Sequence, residues 1–270
     1  MIKENVVNVA MAAKKKADLL NKSFTRYFIL AMMAGIYVGF GVILIFSIGA
    51  PLKAAGTSAL KALMGVSFGI ALTLVVFAGS ELFTGNNMIM TIGSLSKTVS
   101  WIDTIKIWVT SYLGNLVGSL LMALTLVQTG LISKSPLKEF ILGVTSAKMN
   151  APAIELFFRG IFCNMLVCLA IWMAIKAKDE TAKLILIFWC LFGFIGAGFE
   201  HSIANMTILG LGLFIPHDPS VISWVGFARN LIPVTIGNLI GGAILIGAMY
   251  WYVSDIKEGK GEKHGVSATK

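Results

Sequence analysis

The sequence has little charge for its size. Of its 270 residues only 13% are Asp, Glu, Lys or Arg, whereas 57% are apolar; an ordinary soluble domain carries about a quarter charged residues. So few charges cannot cover so much apolar surface, which excludes a soluble enzyme and a disordered chain. The three cysteines, Cys163, Cys168 and Cys190, lie within apolar runs, which argues against a disulfide-stapled secreted domain. The chain is therefore expected in a lipid bilayer.

Long apolar runs predict an all-α membrane protein. A helix needs about 20 apolar residues to cross about 30 Å of hydrocarbon, and six runs are long enough for this. We therefore predict a six-span domain over residues 27–254. A cytoplasmic amphipathic segment, residues 1–26, is expected before it, and a cytoplasmic tail, residues 255–270, after it.

The basic residues predict the orientation of these spans. With the N-terminus in the cytoplasm, 15 of the 22 Lys and Arg fall on the cytoplasmic side, so the positive-inside rule places both termini there. This makes the chain a multi-pass protein of the cell (inner or plasma) membrane. The net charge of +9 then reflects topology and attraction to anionic lipid, with no nucleic-acid partner. The amphipathic segment, with Val6 and Val9 near Lys14–Lys16, is interpreted as an interfacial anchor or as a gating helix.

Two of the six spans are too long for one straight helix. Residues 63–92 and 188–214 both carry glycine and polar residues in the middle. Non-helical backbone at membrane depth is tolerated only where it is buried in protein or lines a cavity. A pair of interrupted spans at matching places in two halves indicates a transport site.

The two halves repeat a motif at these interruptions. The pattern G-x-E-x-x-x-[GA]-N runs from Gly79 to Asn86 and again from Gly198 to Asn205. The next span of each half contains a Gly-Asn pair. The first pair ends at Asn115, and the second pair lies 123 residues further along the chain. Since each unit has three spans, the second must enter the membrane from the opposite face. The prediction is two inverted three-helix repeats with helices 2 and 5 broken.

Two glutamates are expected at membrane depth. Glu81 and Glu200 belong to the repeated motif, and an ionisable group there costs several kcal/mol unless it is satisfied. The structural interpretation is that each carboxylate caps the backbone freed at its own break, helped by Asn86 and Asn205.

His201 is interpreted as a residue that lines the transport path. It follows the second glutamate directly, and Thr84 or Asn164 could be its hydrogen-bond partner. Imidazole donates hydrogen bonds to anions, and its unperturbed pKa lies near neutrality. The N-termini of the half-helices at the breaks would add N–H groups and partial positive charge. Lys148 falls in a predicted outer loop, where a lysine is usually solvated.

The residues around both breaks resemble the two signatures of the formate/nitrite transporter family. The matching segments are residues 78–85 and 198–206, and residues 164–170 fit the family's fourth span. The resemblance covers roughly residues 20–254 and is strongest to the clostridial hydrosulfide channel within that family. It implies an aquaporin-like fold, although paired Asn-Pro-Ala breaks are lacking. It also implies homopentamers with one pore per protomer, and neither cofactor, metal nor catalysis.

The resemblance implies a role for several side chains. His201 would be the central pore group, with Thr84 on the opposing break, Asn164 in contact with the histidine, and Lys148 attracting anions at the outer mouth. Two apolar slits would flank the histidine. The inner slit would consist of Phe68, Leu72 and Phe194, and the outer slit of Leu82, Phe83 and Val167.

We therefore expect a channel for small monovalent anions of weak acids. Hydrosulfide is the first candidate and formate or nitrite the second, and a neutral-solute channel for water, ammonia or hydrogen sulfide is the alternative. A bare anion is costly in an apolar slit. Lys148 and the helix N-termini would concentrate the anion, and His201 would give it a proton or a strong hydrogen bond.

Overall fold

A computed structural model describes residues 2–255 of the chain. Most of these residues are helical. Six helical stretches in this range are long and apolar enough to cross a membrane. In chain order the α-helices are α1 (Ile2–Lys22), α2 (Phe24–Ala54), α3 (Leu60–Ser67), α4 (Gly69–Thr73), α5 (Phe83–Leu95), α6 (Trp101–Gln128), α7 (Leu137–Asn150), α8 (Ala153–Lys176), α9 (Glu180–Ala197), α10 (Ser202–Phe214), α11 (Trp224–Leu239) and α12 (Met249–Val253). A π-helical segment, Leu74–Gly79, follows α4, and a second, Ile240–Ala248, joins α11 to α12.

The two halves are built on the same helix-to-helix seam. Gly118 of α6 lies against the backbone of Met32 in α2, and Gly241, 123 residues later, lies against the backbone of Ile161 in α8. A side chain at either glycine would collide with a main-chain carbonyl, so these positions allow close helix packing. The same contact in both halves, with an odd number of spans per half, confirms the predicted inverted repeat.

The six spans enclose the two short helices α5 and α10. Neighbouring contacts run from α6 through α2, α3, α9 and α8 to α11. The seam between α6 and α11 is joined by the hydroxyls of Tyr112 and Thr235, 3.1 Å apart, which are equivalent positions of the two repeats. Two half-helices inside a ring of six spans is the aquaporin-like architecture that was expected.

The second and fifth spans are broken as predicted, and a glycine ends the first part of each. Gly79 has φ of 81° and Gly198 has φ of 80°, a left-handed conformation that glycine adopts without a steric cost. A few extended residues follow, and the chain resumes as α5 and α10, of 13 residues each.

The N-terminal helix α1 packs on the protein. Val6, Val9 and Ala13 are fully buried, and Ala13 lies against Gly93 of α5. Asn5 Nδ2 donates to the carbonyl of Trp172 at the end of α8. The interfacial-anchor interpretation, which put this apolar face in lipid, is therefore wrong. The helix ends at Lys22, four residues before the predicted boundary, and residues 256–270 of the predicted tail lie outside the described residues.

Candidate functional site

A buried asparagine of α6 holds the first break open. Asn115 Oδ1 accepts a hydrogen bond from the N–H of Phe83 at 2.9 Å. Its Nδ2 donates to the carbonyls of Glu81 at 2.9 Å and Ala31 at 2.7 Å. The side-chain amide thus satisfies main-chain groups that the interrupted helix leaves unpaired.

Asn238 of α11 does the same at the second break. Its Oδ1 accepts from the N–H of Ser202 at 2.8 Å, and its Nδ2 donates to the carbonyls of Glu200 and Gly160 at 2.9 and 2.7 Å. The interpretation that the glutamates cap the broken backbone is therefore wrong. The sequence signal was present, since the repeated Gly-Asn pairs contain both asparagines.

Each glutamate instead forms a buried ion pair. Glu81 accepts from Lys16 Nζ at 2.8 Å and from the Tyr27 hydroxyl at 2.8 Å; its side chain is 9% exposed. Asn86 Nδ2 donates to the same carboxylate at 3.1 Å. A carboxylate this deep is tolerable because it is paired and hydrogen-bonded. Lys16 was not predicted from the sequence, although helical spacing could have singled it out, because it follows Ala13 by three residues and so shares the buried face of α1.

The second ion pair mirrors the first. Lys148 Nζ lies 2.7 Å from Glu200, and Asn205 Nδ2 donates to the same oxygen at 2.7 Å. Lys148 was expected in a solvated loop, but it belongs to α7, near its C-terminal end. The side chains are 18% exposed for the lysine and 6% for the glutamate, so the ammonium is the outer member of the pair. Helices α1 and α7 thus supply equivalent lysines to the two breaks.

His201 and Thr84 meet where the N-termini of α5 and α10 face each other. His201 Nε2 lies 2.9 Å from Thr84 Oγ1, and Nδ1 accepts from the N–H of Ala204 at 3.1 Å. Since Nδ1 accepts, a neutral ring carries its hydrogen on Nε2 and donates to the threonine. Thr84 keeps its own hydroxyl hydrogen to donate. The amides of Ala204, Phe83 and Ser202 are therefore engaged by side chains, whereas the N-termini had been expected to offer free N–H groups.

The His201–Thr84 pair occurs only once, although the asparagines and the ion pairs around the two breaks occur in both repeats. The position equivalent to His201 in the first repeat is Leu82, and the position equivalent to Thr84 in the second is Ile203, both 119 residues apart. The frame of asparagines and ion pairs is duplicated, but the imidazole–hydroxyl pair is not. The site therefore has a single imidazole–hydroxyl pair, with apolar residues at the equivalent positions of the other repeat.

Asn164 lies beside this pair without bonding to the histidine. Its Nδ2 donates to the Thr84 carbonyl at 3.2 Å, Asn87 Oδ1 at 3.0 Å and the Asn238 carbonyl at 2.7 Å. The resemblance had implied contact with His201. In the structure the Asn164 amide contacts the main-chain carbonyl of Thr84.

A narrow cavity adjoins His201. Its volume is about 10 Å³, close to the minimum that one water needs. The rings of Phe68 and Phe194 meet edge to face with centroids 5.5 Å apart, and the Phe194 ring is 6.0 Å from the imidazole. Phe83, which was expected in the outer slit, does not line this cavity. Its ring lies edge-on against Tyr112 of α6. The cavity is lined by Val38, Phe68, Ala71, Leu72, Leu82, Val167, Leu191, Phe194 and His201.

The sides of the two slits are the reverse of what was expected relative to α1. The main chain beside Leu82 is bonded to the Leu30 carbonyl, near the end of α2 that adjoins α1. The Phe68 ring lies against Gly41, eleven residues further along α2, which is about 16 Å. Phe68 and Phe194 are therefore on the side of the breaks away from α1. The physical reason is that α2 and α3 run antiparallel, so α3 approaches the break from the far end of α2.

Val167 is displaced in the opposite sense. The N–H of Glu200 donates to the carbonyl of Arg159 near the start of α8. Val167 follows eight residues later, about 12 Å closer to the α1 side. It was expected in the outer slit, away from α1, and the structure places it on the α1 side of the breaks, as it does Leu82.

The whole chain resembles known transport proteins. Residues 3–252 match the family model described as formate/nitrite transporter. The nitrite transporter NirC of Salmonella typhimurium is 43% identical over 259 residues, covering 96% of this chain and 94% of NirC. The formate channel FocA of Escherichia coli is 32% identical over 244 residues, covering 84% and 85% of the two chains.

Solved structures agree with the arrangement of the helices. A structure described as an FNT family ion channel superposes with a TM-score of 0.88 at 42% identity, covering 93% of this chain and 98% of that one. A pentameric formate channel with formate bound superposes with a TM-score of 0.73 at 29% identity, covering 86% and 98%.

Proposed function

Because the chain belongs to the formate/nitrite transporter family, we propose that it passes small monovalent anions of weak acids across a membrane through the cavity beside His201. The family consists of transporters and channels and not of enzymes. The observation that carries the proposal is the His201–Thr84 pair placed at an apolar cavity of about 10 Å³. No ion can pass such a space with its hydration shell.

Desolvation determines which anions can pass. An anion stripped of water in an apolar slit loses strong hydrogen bonds and must replace at least part of them. The donors for this are the Thr84 hydroxyl, whose hydrogen is free, and His201 Nε2–H, which exchanges its bond to Thr84 for one to the anion. Anions of weak acids are strong hydrogen-bond acceptors and take up protons readily, whereas chloride, the anion of a strong acid, does neither. Selectivity thus follows from basicity as well as from size.

The two lysines would act at opposite mouths of the same path. Lys16 and Lys148 each hold their ammonium outside a buried glutamate. An arriving anion interacts first with the positive member of each pair. In this proposal His201 acts as a hydrogen-bond donor, since protonation of Nδ1 would break its bond to the Ala204 N–H.

Nitrite, formate and hydrosulfide are the candidate anions. Nitrite and formate are the substrates in the names of the similar proteins, and hydrosulfide, the first candidate from the sequence, stays a prediction. All three are small, singly charged and basic enough for the same donors. We further propose a homopentamer, which the likeness to a pentameric formate channel supports, and cytoplasmic termini, which the distribution of basic residues supports.

Flux measurements on His201 variants test this function. Purified protein in liposomes should carry each of the three anions down its gradient, and His201→Phe should lower that flux. The matched control is His217→Phe, a histidine in the loop after α10, which should leave flux at the wild-type level. Unchanged flux in His201→Phe would remove the histidine from the mechanism. Solute-driven vesicle swelling that ignores pH and the anion gradient would favour the neutral-solute channel.

A further inference from the structure

We propose that Asn164 is a positioning residue, which ties the first half-helix to the anchor of the second and so holds Thr84 against His201. This inference rests on the proposed function. It concerns how the two repeats are joined at the point where the path is narrowest. It assigns Asn164 no contact with the permeating anion.

The amide of Asn164 has no hydrogen left to offer an anion. Nδ2 carries two hydrogens and faces three acceptors, namely the Thr84 carbonyl, Asn87 Oδ1 and the Asn238 carbonyl. The Cys168 thiol lies 3.7 Å from Asn164 Oδ1 as its donor. The residue is fully buried. Its polar atoms are thus engaged within the protein.

The bonds of Asn164 connect the two breaks. Thr84 is in the first turn of α5, and its hydroxyl meets the imidazole. Asn238 holds the start of α10 through the N–H of Ser202, one residue after His201. A single side chain therefore bonds both to the hydroxyl-bearing residue of one repeat and to the asparagine that positions the histidine of the other.

This link is absent from the duplicated frame. The main-chain bonds at the two breaks, Glu81 to Leu30 and Glu200 to Arg159, relate α2 to α8 by 129 residues. That spacing makes Gly35 the counterpart of Asn164. Glycine has no side chain, so the first repeat cannot make the reciprocal link. The amide is therefore present only in α8, where it donates to the Thr84 carbonyl.

The neighbouring backbone leaves room for this amide. A Cβ on Gly242, in the second π-helical segment, would overlap Asn164 Nδ2 and lie 2.9 Å from Cys168 Sγ. π-helical segments occur often at functional sites. Gly242→Ala is therefore an independent way to displace the amide without removing it.

A double-mutant cycle on anion flux tests the inference. Thr84→Val and Asn164→Ala should each lower flux about tenfold, the effect of one hydrogen bond. If Asn164 acts through Thr84, the double variant should lose about tenfold and not about a hundredfold. A merely structural residue would give effects that multiply.

Controls separate this inference from the proposed function. Asn5→Ala, which truncates a buried asparagine of α1 bonded to a carbonyl, should combine with Thr84→Val multiplicatively. If Asn164→Ala does not elute from size exclusion as the wild type does, Gly242→Ala takes its place in the cycle with the same expectation. Multiplied effects alongside normal wild-type flux overturn the positioning role alone. A folded wild-type protein with no anion flux overturns the proposed function as well.

Discussion

The ion pair of Lys148 and Glu200 allows stability to be separated from transport. Lys148→Met leaves the Glu200 carboxylate, 6% exposed, with Asn205 as its remaining side-chain donor. Removing one partner of a buried pair costs about 3–5 kcal/mol. In the double variant Lys148→Met/Glu200→Gln, the glutamine oxygen still accepts from Asn205 and no charge is left unpaired. Its unfolding free energy should therefore return to within about 1 kcal/mol of the wild type.

Flux should not return with stability. An anion about 4 Å from the Lys148 ammonium gains about 4 kcal/mol at an effective dielectric constant of about 20, and the Glu200 carboxylate, about 7 Å away behind it, takes back about 2.4 kcal/mol. The remaining attraction of about 2 kcal/mol corresponds to roughly 20–30-fold in anion occupancy. The double variant should lose flux by that order at low anion concentration. Glu200→Gln alone, which keeps the ammonium, should not lose it.

The assay needs both measurements on the same preparations. Thermal unfolding in detergent reports stability, and anion uptake by proteoliposomes at low ionic strength reports flux. Lys134→Met, at an exposed lysine ahead of α7, is the control for a lost surface charge and should change neither. A stable double variant with wild-type flux would refute the role of the pair in attracting anions. A double variant as unstable as Lys148→Met would refute the analysis of the buried charge.

Three further predictions concern the frame around the site. Asn238→Ala leaves the Ser202 N–H and the Glu200 carbonyl at the break without their partner at about 1–3 kcal/mol each, so unfolding should be easier by at least about 2 kcal/mol, and equally so for Asn115→Ala; a wild-type melting temperature in either would count against the anchoring role. Gly198→Ala should cost about 1–2 kcal/mol in thermal unfolding because of its positive φ, whereas Gly143→Ala, in open space on α7, should be neutral or stabilising. Phe68→Ala should widen the slit and raise the ratio of chloride to nitrite flux, and an unchanged ratio would show that the ring does not limit passage.

Part of the site could be found from residue types and spacing. The G-x-E-x-x-x-[GA]-N repeat located both breaks, and an imidazole next to a break was a good candidate for a polar group of the site. The roles of the glutamates could not be found that way. An acidic residue at membrane depth signals that a partner exists, but the partner of Glu81 is 65 positions away in a different helix. Repeated Gly-Asn pairs were visible, yet only the fold shows that Asn115 and Asn238 reach the breaks.

Local chemistry and the bilayer together decide the number of spans, the position of the breaks and the inverted repeat. These features depend on runs of neighbouring residues, because hydrocarbon demands apolar side chains and forces the backbone to satisfy its own hydrogen bonds. The docking of the two repeats decides the rest. It brings Thr84 to His201 across 117 positions, makes a salt bridge of Lys148, and places Phe68 on the side away from α1. Such contacts depend on the register of antiparallel helices, which no local stretch of sequence encodes.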